Sequence, residues 1–142
     1  MYQKIYQAYQ ALSNGDKADL KRSSFKRIKN LPAYFRVLKI AQVKDSLQTQ
    51  RILFLMVSVR HIGENEDSPT VVRSLLDAGV NERQVIQIIR SGDNGIEYLK
   101  RQLVRCNSVQ LESLGKLAQY WGDNARRGLL KDFILSTSFT PE

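Results

Sequence analysis

The sequence predicts an all-α protein, a two-lobed helical bundle of about seven or eight helices. Three observations support this fold class. Apolar residues recur at helical spacing along most of the 142-residue chain. Capping residues and glycines fall at the ends of these apolar stripes. No stretch alternates strictly with period two, and no hairpin signal joins two apolar runs.

The first helices are expected before residue 30. Residues 1–13 carry one apolar stripe, and Gly15 is well placed to stop that helix. Asp16 is a candidate N-cap for a second helix. The adjacent pair Ser23–Ser24 leaves the length of this second helix open.

The middle of the chain predicts a central helix and a lobe boundary. Asn30–Pro32 indicates a helix start, because proline in the first turn loses no intrahelical hydrogen bond. The run Leu47–Val59 is apolar nearly all round in its second half, which is typical of a helix at the centre of a bundle. His61–Pro69 is a polar connection. We therefore expect an N-terminal helical lobe over 1–65 and a C-terminal helical lobe over 66–142.

Further helices follow in the second half. The stripe Val71–Leu76 stops at Gly79, and Asn81–Gln84 has the spacing of a capping box. Asn107–Gln110 repeats that spacing before the next stripe. Gly122 is expected to end this stripe, and a last apolar stripe follows it.

Charge is the main functional signal. Residues 1–59 contain eleven Lys and Arg against three Asp and Glu, whereas residues 60–142 contain eleven of each. Nine basic residues and a single acid, Asp19, lie within Lys17–Lys44. So uneven a distribution favours a polyanionic partner, and nucleic acid is the obvious one.

Signals for chemistry are weak. The one histidine, His61, stands beside an acidic loop that is better interpreted as solvated than as a metal site. The one cysteine, Cys106, excludes an intrachain disulfide and is expected to be a packed small residue. We therefore expect no enzyme activity, no cofactor and no metal.

The same composition predicts where the protein works. No apolar run approaches the roughly 18 residues of a membrane span, and the N-terminus lacks the apolar block of a signal peptide. A single cysteine is typical of a reducing compartment. We expect a soluble, intracellular protein with no membrane partner.

Two rival interpretations stay open. Residues 70–92 are similar to a helix-turn-helix, in which Asn81–Arg90 would present Arg83 and Gln87 to a major groove. Leu75, however, stands where that motif usually has a small residue, which favours a plain helical hairpin. The other rival is a helical scaffold whose cations meet acidic protein surfaces and no nucleic acid.

Several segments, taken together and in order, resemble one family, the CasB small subunits of the type I-E CRISPR surveillance complex, Cascade. The similar segments span nearly the whole chain: Leu12–Arg22, Leu31–Arg36, Asn81–Arg83 followed by Ile88–Arg90, Leu99–Leu103, Trp121–Gly122 and Leu129–Phe133. Asp123 departs from the pattern, because a basic residue is expected there.

The resemblance implies a non-catalytic, all-helical, cytoplasmic protein of a prokaryote. It implies guide RNA and target or displaced DNA as partners, together with the backbone and large subunits of Cascade and a second copy of the chain. Such a subunit would hold the sugar–phosphate backbone without reading sequence and stabilise the R-loop. The basic residues that match family positions and are predicted to do so are Lys21, Arg22, Arg36, Arg90, Lys100, Arg101 and Arg126. The basic cluster adds Lys17, Lys26 and Arg27 to the predicted contact residues.

Overall fold

The computed structural model describes residues 1–137 and confirms the all-α fold class. Within that range the helices are α1 (Tyr2–Gln10), α2 (Asn14–Arg22), α3 (Phe25–Ile28), α4 (Pro32–Ala41), α5 (Leu47–Met56), α6 (Val71–Asp77), α7 (Glu82–Arg90), α8 (Gly95–Leu103), α9 (Leu111–Gln119) and α10 (Asp123–Ser136). A 3-10 turn, Gly92–Asn94, joins α7 to α8. None of these helices is long and apolar enough to cross a bilayer.

Ser13 sets the boundary between α1 and α2. The predictions that Gly15 stops α1 and that Asp16 caps α2 are both wrong. The α1 helix ends at Gln10, well before Gly15, which lies inside α2. The Ser13 hydroxyl caps α2 by accepting a hydrogen bond from the Asp16 amide at 3.1 Å. Asp16 therefore lies in the first turn, where its negative charge favours the positive end of the helix.

Ser23 and Ser24 break the chain between α2 and α3. Both adopt extended backbone angles, with ψ of 145° and 161°. The expected start of α4 is confirmed, since Pro32 occupies its first turn and Leu31 precedes it in an extended conformation.

The expected central helix is also confirmed. Residues 52–57 of α5 and its C-cap are all buried. α5 packs against α1 and α3 from the first half of the chain and against α8 and α9 from the second. One core cluster includes buried residues from both halves. The lobe boundary at residue 65 stays a prediction, and residues 138–142 of the expected C-terminal lobe lie outside the described range.

The second half of the chain begins as expected. The Asn81 capping box is confirmed: its Oδ1 accepts from the Gln84 amide, and Gln84 Oε1 accepts from the Asn81 amide, both at 2.9 Å. The prediction for Asn107 is wrong, because α9 starts after Gln110 and has no side-chain cap. Gly122 likewise does not end α9 but precedes the first residue of α10.

Two very short strands were not anticipated. β1 (Ile62–Gly63) pairs in parallel with β2 (Val109–Gln110), with Ile62 opposite Val109. The Val109 amide makes this pairing by donating to the His61 carbonyl at 3.1 Å. Strands of two residues leave no alternating pattern that a sequence could reveal.

Candidate nucleic-acid interface

The junction between α2 and α3 rests on α8. The Glu97 carboxylate accepts a hydrogen bond from the Phe25 amide at 2.7 Å. The Lys100 ammonium donates to the carbonyls of Lys21 and Ser23, both at 3.0 Å. Two segments more than 70 residues apart in sequence are thus joined at the end of α2.

A shallow depression of about 520 Å³ opens at this junction. Its lining consists of Asp19, Arg22, Ser23, Ser24, Arg27 and Leu31. Arg22 approaches Asp19 at 3.2 Å, but both side chains are exposed, by 76% and 57%. Such an exposed pair holds the guanidinium only weakly. The depression therefore presents two available guanidinium groups and two hydroxyl-bearing residues.

Other exposed cations lie on the helices that meet at this junction. Lys21 and Lys26 are exposed beside it on α2 and α3. Arg101 is exposed on α8, next in sequence to the Lys100 that contacts α2, while Leu99 and Leu103 face the core. Arg101 lies 5.1 Å from the Tyr98 ring. We call Lys21, Arg22, Lys26, Arg27 and Arg101 the junction cations; four of them, all but Arg22, form no ion pair within residues 1–137.

Arg90 lies on the neighbouring helix. It is exposed at the end of α7 and lines a second depression with Arg83 and Gln87. α7 and α8 approach closely here, because a Cβ on Gly95 would lie 2.0 Å from the Ile88 carbonyl oxygen. Arg90 is thus near the first residue of α8, whereas Arg101 follows almost two turns later.

Lys17 and Arg36 face other neighbours. The Lys17 ammonium lies 5.9 Å from the Tyr9 ring of α1. Arg36 Nη1 donates to both oxygens of Asp16, at 2.7 and 2.9 Å, and so joins α4 to α2. Both side chains already have an intramolecular partner, although Arg36 remains exposed.

Two of the expected contact residues are held inside the protein. Arg126 is only 6% exposed, with Nη1 2.8 Å from Asp93 and Nη2 2.6 Å from Asp123. The departure at Asp123 from the family pattern thus coincides with an intramolecular ion pair between the buried Arg126 and an exposed carboxylate. Lys100 is half-buried, and its ammonium lies 4.3 Å from the Phe54 ring. Burial lowers the pKa of Lys100, an effect that Glu97 opposes.

Two further cations cap helix ends, a role that the sequence did not reveal. Arg51 of α5 donates to the carbonyls of Ala118 and Gln119, at 2.7 and 2.9 Å, and so caps the end of α9. Arg105 donates to the Ala78 carbonyl at 3.0 Å, at the end of α6. Burial lowers the pKa of Arg51. Contacts between residues 67 positions apart leave no local spacing by which these roles could be found.

The candidates for other chemistry have ordinary surroundings. Cys106 is fully buried, and burial raises the pKa of its thiol to about 11. His61 and the acidic residues after it are exposed. Within residues 1–137, no three His, Cys, Asp or Glu side chains are grouped so that they could hold a metal ion together.

Similarity to known proteins agrees with the family suggested by the sequence. The chain is 26% identical to the Cascade subunit CasB of the Escherichia coli K12 CRISPR system, over 94% of this chain and 92% of the relative. The chain is similar to CasB over nearly its whole length. The structure also matches a chain in the crystal structure of E. coli Cascade bound to a PAM-containing double-stranded DNA target. This match has a TM-score of 0.77, at 27% identity over 94% and 93% of the two chains. No protein-family model matches the chain.

Proposed function

We propose that this protein is the non-catalytic small subunit of a type I-E Cascade complex in the prokaryotic cytoplasm. In this role it binds the sugar–phosphate backbone without reading sequence. It thereby stabilises the R-loop formed by guide RNA and target DNA. The observation that carries the proposal is the set of exposed junction cations on α2, α3 and α8, the three helices that meet at Ser23–Ser24, in a chain similar to CasB.

The mechanism is electrostatic. Strand exchange in an R-loop is nearly balanced, because the heteroduplex formed is about as stable as the duplex it replaces. Contacts to the phosphates of one product can therefore tip the equilibrium. Exposed arginines suit this task, since a guanidinium stays charged and matches phosphate oxygens geometrically. Base pairing supplies the sequence specificity.

Assembly supplies the affinity. A handful of phosphate contacts gives weak binding by an isolated chain at physiological salt. Tethering inside a complex raises the effective concentration of the surface near the nucleic acid. The partners in this proposal are the backbone and large subunits, a second copy of the chain, the guide RNA, and the target and displaced DNA strands.

The first test measures binding to mixed-sequence single-stranded DNA across a salt series. The variant combines Lys21→Ala, Arg27→Ala and Arg101→Ala. We expect it to bind all sequences more weakly. We also expect the slope of log affinity against log salt to become shallower by about 2, because each lost contact to a single strand removes about 0.7.

The matched control removes three exposed cations from other elements, by Lys4→Ala, Arg60→Ala and Lys131→Ala. It has the same net charge as the test variant, so a charge effect alone would change both equally. Equal salt slopes for the two variants would refute the proposed surface. A slope near zero for the unmodified chain would favour the scaffold interpretation. A preference for one operator sequence that is lost in Arg83→Ala and Gln87→Ala would favour a helix-turn-helix.

Co-purification with the products of neighbouring genes tests the assembly. We expect guide RNA to accompany the complex when the chain is used as bait. Recovery of the chain without other subunits and without RNA would contradict membership of such a complex.

A further inference from the structure

The backbone around the depression has little local stabilisation of its own. α3 has only four residues, and a single helical turn is unstable on its own. Its N-cap, Ser24, makes no side-chain capping hydrogen bond. The Ser23 hydroxyl donates to the adjacent Ser24 carbonyl at 2.8 Å and so does not reach a neighbouring element.

α8 supplies the missing caps from outside. Glu97 accepts from the Phe25 amide, one of the groups that a helix start leaves without a partner. Lys100 donates to the Lys21 and Ser23 carbonyls, two of the groups left over at the end of α2. Residues three apart on one helix face the same neighbour, so a single face of α8 reaches both helix ends.

Two packed aromatic rings, Phe25 and Phe54, lie beside these hydrogen bonds. Phe25 meets Phe54 edge to face, with ring centroids 5.3 Å apart. The Lys100 ammonium lies over the same Phe54 ring. A cation held between a ring and two carbonyls has little freedom to turn outward. Reaching a phosphate would break both of its hydrogen bonds.

We propose that Lys100 and Glu97 are positioning residues, which fix the angle between α2 and α3 and thereby aim Arg22, Lys26 and Arg27 at the phosphate backbone. This inference rests on the proposed function. It assigns Lys100 an indirect role in place of the direct contact expected from the sequence. The Glu97 carboxylate and the Lys100 ammonium act on nucleic acid only through the junction cations.

The test compares Lys100→Met with Arg101→Met in the salt series. Methionine keeps the apolar stem over Phe54 but removes the donor. We expect Lys100→Met to weaken binding roughly fivefold with an unchanged salt slope, because the same cations still reach the phosphates but must be ordered on binding. Arg101→Met should make the slope shallower by about 0.7.

A double-mutant cycle separates positioning from general destabilisation. In a background carrying Arg22→Ala, Lys26→Ala and Arg27→Ala, the added Lys100→Met should have no further effect on affinity. A persistent fivefold loss in that background would overturn the inference. So would a salt slope that Lys100→Met makes shallower by about 0.7, although the proposed nucleic-acid function would then stand.

Hydrogen exchange of the Phe25 amide provides a readout that needs no ligand. Glu97→Leu should reduce its protection roughly tenfold, whereas Glu97→Gln should restore protection because the amide oxygen still accepts. Unchanged exchange in Glu97→Leu would overturn the inference. Failure of the unmodified chain to bind nucleic acid would overturn the proposed function and, with it, the role of the positioned cations.

Discussion

At the scale of single residues, an acidic side chain near the start of α5 illustrates how hydrogen bonding sets a pKa. The Tyr34 hydroxyl donates to Asp45 Oδ1 at 2.7 Å, and the Gln50 amide donates to the same oxygen at 3.1 Å. These two hydrogen bonds, the one from Tyr34 foremost, lower the pKa of Asp45. Burial, followed by the bond to Asp45, raises the pKa of the Tyr34 hydroxyl.

The lowered pKa of Asp45 predicts acid sensitivity. Its contribution to stability is fully present above the unfolded value near 3.8 and is lost as the pH falls through the lower folded value. We expect Asp45→Asn to reduce the fall in melting temperature between pH 6 and pH 3, because the neutral amide does not titrate. Thermal unfolding followed by circular dichroism at both pH values measures this.

Asp132→Asn serves as the control, since Asp132 is an exposed carboxylate on α10. It should leave the acid-induced fall in melting temperature close to that of the unmodified chain. Identical pH dependence in the Asp45 variant and the unmodified chain would contradict the assignment.

The basic side chains show what composition reveals and what it does not. The sequence shows an excess of cations and predicts a basic surface. Lys21, Arg27 and Arg101 are exposed, in agreement with such a surface. Lys100 and Arg126 differ from these exposed cations only in the neighbours that folding brings to them. Those neighbours come from distant segments, so the sequence could not show which cations are held inside.

At the scale of elements, the ends of helices depend on long-range cations. Arg51 from α5 caps α9, Lys100 from α8 caps α2, and Arg105 caps α6. In each case a positive group meets the partial negative charge at a helix C-terminus. These contacts fix the relative placement of elements that local capping signals leave undetermined.

Arg51→Met tests this role by removing the guanidinium while keeping an apolar stem. We expect a loss of about 1–3 kcal/mol in the free energy of unfolding, because two partly buried carbonyls lose charged donors. Urea denaturation measures it. Gln48→Met, an exposed change on the same helix, should alter stability by less than about 0.5 kcal/mol. Equal values for the two variants would contradict a capping role.

Local signals predicted helix boundaries where the cap is short-range. The capping box at Asn81–Gln84 and the proline start at Pro32 both have their partners within one turn, and both were confirmed. At the start of α2 the N-cap is Ser13, three residues before Asp16, and both residue types are common caps. Spacing alone does not decide between them. The choice depends on where α1 stops.

At the scale of the whole molecule, α5 joins the two halves of the chain. It packs against α1, α3, α8 and α9, and Leu53 lies fully buried within it. A helix shared in this way couples the stability of both halves. The two predicted lobes should therefore unfold together and not one after the other.

Leu53→Ala measures that coupling. We expect a loss of about 2–5 kcal/mol from the removal of a buried leucine. Fluorescence of Trp121, the single tryptophan, reports on the second half, while far-ultraviolet circular dichroism reports on all helices. Both should give the same shifted urea midpoint. An unchanged Trp121 midpoint would show that the lobes unfold independently.

The small parallel pairing of β1 with β2 stands at the base of the segment between residues 64 and 68. Gln110 clasps this segment, since its amide donates to the Pro69 carbonyl at 2.7 Å and its side chain donates to the Asn65 and Glu66 carbonyls at 3.3 Å. A Cβ on Gly63 would lie 2.1 Å from the Ser68 hydroxyl oxygen, so the base of the clasp demands glycine. Residues 64–67 beyond that base are exposed, so we expect an epitope tag or new termini placed between residues 66 and 67 to leave the helical scaffold in register.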